Sequence, residues 1–292
     1  MRRKAYAKVN LSLALGAPEP PASPRAGFHP IRTRVQAIDL FDEVEILADA
    51  ALAGPVLDRA WASDAPVPSP LDWPPEKDLA LRAARLLEAE LGTPLRVHVT
   101  LTKRIPVGGG LGGGSSDAAA VLLALRDRFG PGLTTTRLAT LAATLGSDVA
   151  FFIDDADPPR PALVQGFGER LTRIAGLTGE LLLILPPFAC PTGEVYRAFD
   201  DAGAAGRLAH APDLEARGLL FNDLAAPAVA VRPALADLLA RSANVLGTDV
   251  HVTGSGSTLF ALVPPEWPPA TDADWSRRLG TPVIRVRLLG AA

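Results

Sequence analysis

Residues 106–117 read Pro106-Val107-Gly108-Gly109-Gly110-Leu111-Gly112-Gly113-Gly114-Ser115-Ser116-Asp117, with six glycines in the seven positions from 108 to 114. No other stretch constrains the fold as tightly. Before it, Leu95, Val97, Val99 and Leu101 alternate with Arg96, His98, Thr100 and Thr102, the period of a strand with one apolar face. After it comes an Ala- and Leu-rich stretch, 118–128, opened by Ser115, Ser116 and Asp117, residues suited to a helix start. A glycine-rich turn between strand and helix lets backbone N–H groups approach a ligand closely. The helix N-terminus adds unpaired donors and a partial positive charge, so the natural guest is a phosphate.

Several phosphate-loop patterns fail against this run. Gly108 to Gly113 gives G-x-x-x-x-G, but Gly114 and Ser115 stand where a Walker A loop needs Lys and Ser or Thr. Gly108, Gly110 and Gly113 satisfy G-x-G-x-x-G, yet Phe129-Gly130-Pro131-Gly132 occupies the distance at which a dinucleotide-binding unit has an acidic strand end, which leaves that reading as the weak runner-up. The H-R-D and D-F-G elements of protein kinases are missing. Nor does Gly254-Ser255-Gly256-Ser257 form the G-x-S-x-G elbow of a serine hydrolase.

The rest of the chain predicts an α+β protein of two domains, about what 292 residues should hold. Ala5, Ala7, Val9, Leu11 and Leu13 alternate with Tyr6, Lys8, Asn10 and Ser12, so Lys8 and Asn10 project from one face of a first strand. A Pro-rich break at 18–24 precedes strand-like stretches at 31–40 and 42–47; residues 48–76 read as an irregular excursion and 77–91 as a helix. A further helix fits 135–145. Beyond the Pro-rich turn at 154–161, the second half predicts strands at 181–185, 249–253, 259–263 and 283–288 and helices at 192–200, 233–242 and 272–279. The domain boundary falls between 162 and 163, giving domains 1–162 and 163–292.

Lys and Arg total 29 against 32 Asp and Glu, a formal charge of −3, which lacks the basic excess of a protein that neutralises many nucleic-acid phosphates. One cysteine, Cys190, permits neither an internal disulfide nor a Cys-based zinc site. The basic start, Met1 to Lys8, runs into polar alternation instead of an apolar signal core, and no apolar run approaches the roughly 20 residues of a membrane span. A cytoplasmic protein without nucleic-acid or membrane partners is expected. Nothing in the sequence sets an oligomeric state.

Three ordered motifs carry a resemblance that covers the chain end to end: Ala7-Lys8-Val9-Asn10-Leu11, the glycine-rich run, and Thr253-Gly254-Ser255-Gly256-Ser257-Thr258. Together they resemble the GHMP small-molecule kinases. Gly27-Phe28-His29, Gly146-Ser147-Asp148-Val149-Ala150-Phe151-Phe152 and Phe221-Asn222-Asp223-Leu224 narrow the resemblance within that family. It implies a ribosomal-S5-domain-2-like N-terminal domain, a ferredoxin-like C-terminal domain and a site between them. The implied reaction is ATP- and Mg²⁺-dependent phosphorylation of the 2-hydroxyl of 4-diphosphocytidyl-2-C-methyl-D-erythritol, a step in making isoprenoid precursors, with Asp148 as base assisted by Lys8. The ATP phosphates would lie on Pro106, Val107, Gly108, Gly109, Gly110, Leu111, Gly112, Gly113, Gly114, Ser115 and Ser116, carrying Mg²⁺ with them. The acceptor would meet Asn10, Gly254 and Ser255, with its cytosine stacked between Phe28 and Tyr196 and its base edge on His29. Asp78 stands where relatives commonly have Asn beside the adenine. His98, His210 and His251 are expected to be structural or surface residues. The alternatives are a homoserine- or mevalonate-type kinase of the same family, and a noncatalytic S5-like nucleic-acid-binding protein.

Overall fold

The structure is a computed structural model that describes residues 1–203, 208, 220–267 and 272–290. His210 lies outside the described residues. The first layer is a seven-stranded sheet built on a long antiparallel pair, β1 (Arg2–Leu15) and β2 (Ile31–Ala48). The expected strands at 31–40 and 42–47 are one continuous β2, whose far edge is shared: residues 43–48 pair with β4 (Val97–Lys103) and residues 31–35 with β5 (Ala162–Gly166). The excursion at 48–76 contains β3 (Val56–Trp61), a parallel edge strand on β4. Its alternation of Val, Asp and Ala with Leu, Arg and Trp buries neither face fully, which hides it from hydrophobic periodicity. Next to β5 lies β6 (Arg170–Arg173), a hairpin partner that the sequence pattern does not announce.

Three helices pack in a layer on this sheet, the third against the second rather than on the strands. In α1 (Leu79–Leu91) the buried Ala80, Leu81, Ala83, Ala84 and Leu87 form one stripe, and Gly92 in the left-handed conformation ends it. In α2 (Gly113–Phe129) every residue from Ser116 to Leu125 is buried, so it is the central helix and its small alanines let α1 approach. The third, α3 (Thr135–Ala143), is capped by Thr134, whose hydroxyl accepts from the Arg137 N–H.

The second layer runs β7 (Glu180–Ile184), α4 (Thr192–Asp201), β8 (Phe221–Asn222), α5 (Ala225–Val231), α6 (Ala234–Leu246), β9 (His251–Val252), β10 (Leu259–Leu262), α7 (Asp272–Leu279) and β11 (Val283–Arg287). Apart from β8, which returns to β1 as a parallel edge strand, the strands form an antiparallel sheet in the order β11-β7-β10-β9, the split βαβ arrangement of ferredoxin-like folds. Neither α5 nor β8 is anticipated by the sequence. The two sheets meet through Ala7, Val9, Leu11 and Ile38 on one side and Leu181, Leu183, Phe260 and Val286 on the other. The expected boundary at 162/163 falls at the first residue of β5, within the larger sheet. Among the described residues no helix is long and apolar enough to cross a membrane.

Candidate functional site

The three motifs converge because the glycine loop is pressed against the second layer. Gly110 has φ +79°, and a Cβ on it would lie 2.5 Å from the Thr253 carbonyl oxygen, so only glycine fits there. The Thr258 N–H donates to the Gly109 carbonyl at 3.2 Å, the Lys8 N–H to the Leu111 carbonyl at 2.9 Å, and the Asn10 N–H to the Thr253 hydroxyl at 2.9 Å. Asn222 fixes the 253–258 turn by donating to the Val252 and Gly254 carbonyls at 2.8 and 2.7 Å. Asp223 accepts from the Leu15 N–H at 2.9 Å, tying the same segment to β1.

Between the layers opens a cleft of about 580 Å³. Lys8, Asn10, the loop from Pro106 to Ser115, Asp148, Tyr196, Gly254 and Ser255 line it, which brings most of the expected site residues together. Among the described residues no side chain caps α2, and its first residues, Gly113 to Ser115, line the cleft, where the N–H groups of a helix start have no partner within the helix. The Lys8 ammonium is almost fully buried, 3.2 Å from Asp148 Oδ2, and donates to Asn10 Oδ1 at 2.5 Å. Asn10 in turn donates to the Thr33 hydroxyl at 2.8 Å, and Thr33 to the Ser12 carbonyl at 2.6 Å. This relay fixes the lysine, while Asp148 stays 38% exposed at the head of a 3-10 turn, Val149–Phe152. Burial, and then the nearby Asp148 charge, push the Tyr196 phenol up to about 12, so it stays neutral.

Three expected contacts are placed differently. Ser116 turns away from the cleft, its hydroxyl donating to the Gly113 carbonyl at 2.9 Å within its own helix. Phe28 is 65% exposed and does not line the cleft. The His29 ring is turned into the protein, where it hydrogen-bonds the Gly16 carbonyl through Nδ1 at 2.9 Å and packs against Tyr196 and Phe199. Its Nε2 lies 2.9 Å from Asp200 Oδ1 without hydrogen-bond alignment and is sealed from solvent, so the side chain has no free edge for a base. His98 pairs with Asp58 at the surface, and His251 packs on Phe260, where burial lowers its pKa.

Sequence reasoning missed the group beneath the loop. Lys103, at the end of β4, donates to both Asp42 and Asp117, and all three side chains are almost fully buried. Asp42 also accepts from the backbone N–H groups of Arg104 and Ile105, which shapes the approach to the loop. Asp117 lies one turn into α2, and its Oδ1 has no hydrogen-bond partner among the described residues. Burial, ahead of the Asp42 charge, pushes its carboxyl well above the ordinary range against the pull of Lys103. The period of β4 carried the signal, because Lys103 occupies the inward series of Val97, Val99 and Leu101. The cleft's other wall holds Trp73, Lys77 and Leu79. Trp73 donates its indole N–H to Asp78 Oδ2 at 3.0 Å, and the Arg59 guanidinium lies 4.6 Å from its ring centroid. Asp78 Oδ1 caps α1 by accepting from the Ala80 N–H at 3.0 Å.

An uncapped helix start shares an interlayer cleft with a lysine–aspartate pair, and residues 78–155 match the family described as GHMP kinases N terminal domain. The chain is 40% identical over 271 residues to a 4-diphosphocytidyl-2-C-methyl-D-erythritol kinase from Anaeromyxobacter sp. (strain K), spanning 89% of this chain and 80% of that one. It superposes on a crystal structure of 4-(cytidine 5'-diphospho)-2C-methyl-D-erythritol kinase with a TM-score of 0.75 at 31% identity, covering 99% of both chains. The mevalonate kinase of Methanococcus jannaschii, at 14% identity and a TM-score of 0.62 over 99% of this chain and 98% of that one, shares the fold. The chain belongs to the 4-diphosphocytidyl-2-C-methyl-D-erythritol kinase family of the GHMP kinases, and with it to the ATP-dependent small-molecule kinases.

Proposed function

We propose that the protein transfers the γ-phosphoryl group of ATP to the 2-hydroxyl of 4-diphosphocytidyl-2-C-methyl-D-erythritol. The observation that carries this reading is the Lys8–Asp148 pair, 3.2 Å apart in the same cleft as the uncapped first turn of α2. Phosphoryl transfer asks a protein mainly for positioning and charge stabilisation. The loop N–H groups hold the phosphates, Asp148 accepts the hydroxyl proton, and Lys8, 3.2 Å away, aims that carboxylate. Asn10, fixed by Thr33, limits where the lysine can sit. The acceptor lies toward Tyr196 and the Gly254-Ser255 turn, where the Ser255 hydroxyl is 3.0 Å from that of Thr192. The donor base lies against Trp73, whose other side is backed by Arg59; Arg59 is not part of the cleft wall. Asp78 is occupied as cap and indole acceptor, so its part in adenine binding is to hold Trp73.

A nucleotide-borne Mg²⁺ fits this site. Mg²⁺ takes one or two protein oxygens and completes its shell with phosphates and water, and the Ser115 hydroxyl beside the loop offers such an oxygen in the cleft. Among the described residues no three His, Cys, Asp or Glu side chains cluster as a separate metal site. Bound there, the ion would neutralise charge on the phosphates. The whole reading is tested by ³¹P NMR of the protein with ATP, Mg²⁺ and the cytidyl acceptor, with homoserine and mevalonate in parallel. A new phosphomonoester resonance is expected with the cytidyl acceptor alone. Turnover of another alcohol instead would overturn the acceptor assignment.

A further inference from the structure

Asp148 heads a turn whose backbone is held from both sides by one hairpin. At the hairpin's tip, between β5 and β6, Gly168 has φ +104°, and a Cβ there would lie 2.3 Å from the Ser147 carbonyl oxygen and 2.8 Å from its carbonyl carbon. The tip therefore rests backbone to backbone on the residue that precedes Asp148. From the end of β6, Arg173 reaches the other side of the turn. Its Nη2 donates to the Phe151 and Ile153 carbonyls, both at 2.9 Å, its Nη1 donates to the Arg160 carbonyl at 2.6 Å, and its Nε lies 3.3 Å from Asp154 Oδ2. The same tip is fastened to the loop that carries Phe28. The Arg25 guanidinium lies 4.3 Å from the Phe167 ring centroid and 3.6 Å from Glu169 Oε1, and the Phe28 N–H donates to the Arg25 carbonyl at 2.9 Å.

We propose that the β5–β6 hairpin is the positioning element for the catalytic carboxylate, with Gly168 and Arg173 as its two positioning residues. The proposal rests on the reading of Asp148 as proton acceptor. Neither residue lines the cleft, and their influence on turnover passes through the backbone that carries Asp148. Buried carbonyls need donors, and one guanidinium serving those of Phe151 and Ile153 in a fixed fork, with the exposed Arg160 carbonyl as a third acceptor, holds the end of the turn in place. A displacement of about 1 Å at a reacting group costs up to about 100-fold in rate, so a backbone bracket of this kind is worth that much to turnover.

The test compares Gly168→Ala, Arg173→Met, Arg173→Lys and Asp148→Asn in the full chain, by steady-state kinetics with both substrates and by equilibrium binding of ATP. Gly168→Ala and Arg173→Met are expected to lower kcat about 10- to 100-fold while both KM values and the ATP Kd stay within about 3-fold. Arg173→Lys, which keeps the charge and reaches one carbonyl, recovers part of the loss. It also carries the test if the bulkier disruptions fail to fold. An inactive Asp148→Asn beside hairpin variants of wild-type kcat would overturn the positioning role alone. The same role is overturned if kcat and ATP affinity collapse together and Arg173→Lys restores neither, since that marks a merely structural part. Wild-type turnover by Asp148→Asn would instead refute the reading of Asp148 as the base.

Discussion

Replacing Lys103 by Met tests whether the buried triad under the phosphate loop is a charge arrangement or only a packing one. Met keeps most of the side-chain length and removes the ammonium, leaving Asp42 and Asp117 facing each other, 0% and 2% exposed. Removing one partner of a buried ion pair costs about 3–5 kcal/mol, because the remaining charge has lost its compensation without regaining water. The two carboxylates do not share that cost equally. Asp42 keeps the backbone N–H groups of Arg104 and Ile105, whereas Asp117 has an unpartnered Oδ1 and loses its ammonium donor. Lys103→Met should therefore lower unfolding stability in urea by about 3–5 kcal/mol at neutral pH, and adding Asp117→Asn should return at least about 1 kcal/mol of it. The pH dependence has a definite sign. The folded state raises the Asp117 pKa, so this group's contribution is complete below its unfolded value near about 4 and is lost as pH rises through the folded one. Without Lys103 the folded value rises further, and the deficit of Lys103→Met should shrink as the pH is lowered from 8 to about 5. A loss under about 1 kcal/mol, or a deficit that grows on acidification, would refute the argument.

The other expectations concern the cleft. Asp148→Asn should reduce kcat by about 10²- to 10⁴-fold with little change in the KM for ATP, as read in a coupled ADP-release assay; turnover near wild type would remove it as the base. Trp73→Ala should weaken ATP binding by about 1–3 kcal/mol in equilibrium dialysis while kcat at saturating ATP changes little, and an unchanged Kd would take the base away from that wall. Phe28→Ala should leave the melting temperature unchanged, because the ring is 65% exposed, yet weaken acceptor binding by about 1–3 kcal/mol if the bound cytidyl group draws the ring over it. Calorimetric titration with the acceptor decides this, and unaltered affinity would leave Phe28 as a surface residue.

What the sequence reveals of this site follows the range of the forces involved. The glycine run and the Lys8–Asn10 parity are local facts: φ freedom belongs to each glycine, and a period of two places Lys8 and Asn10 on one side of β1 whatever packs there. Lys103 was within reach of the same rule, since it ends the inward series of β4, but its partners Asp42 and Asp117 are revealed only by the pairing of β2 with β4 and the docking of α2. The direction of the His29 ring is set by Gly16 from the end of β1 and by Asp200, Tyr196 and Phe199 from α4, and nothing in Gly27-Phe28-His29 encodes that. Trp73 lies in a Pro-rich stretch without period; only Arg59 of β3 and Asp78 at the start of α1 make it a wall. The hairpin under Asp148 was the least visible part. Its strand Ala-Leu-Val-Gln-Gly has no alternation and borrows its regularity from β2, and Gly168 reads as an ordinary turn glycine until the Ser147 carbonyl is beside it. Glycine freedom and strand parity thus leave a trace in local sequence, whereas the Trp73 wall and the groups that aim Asp148 are defined by contacts distant in the chain, so a substitution far from any motif can fall on the chemistry.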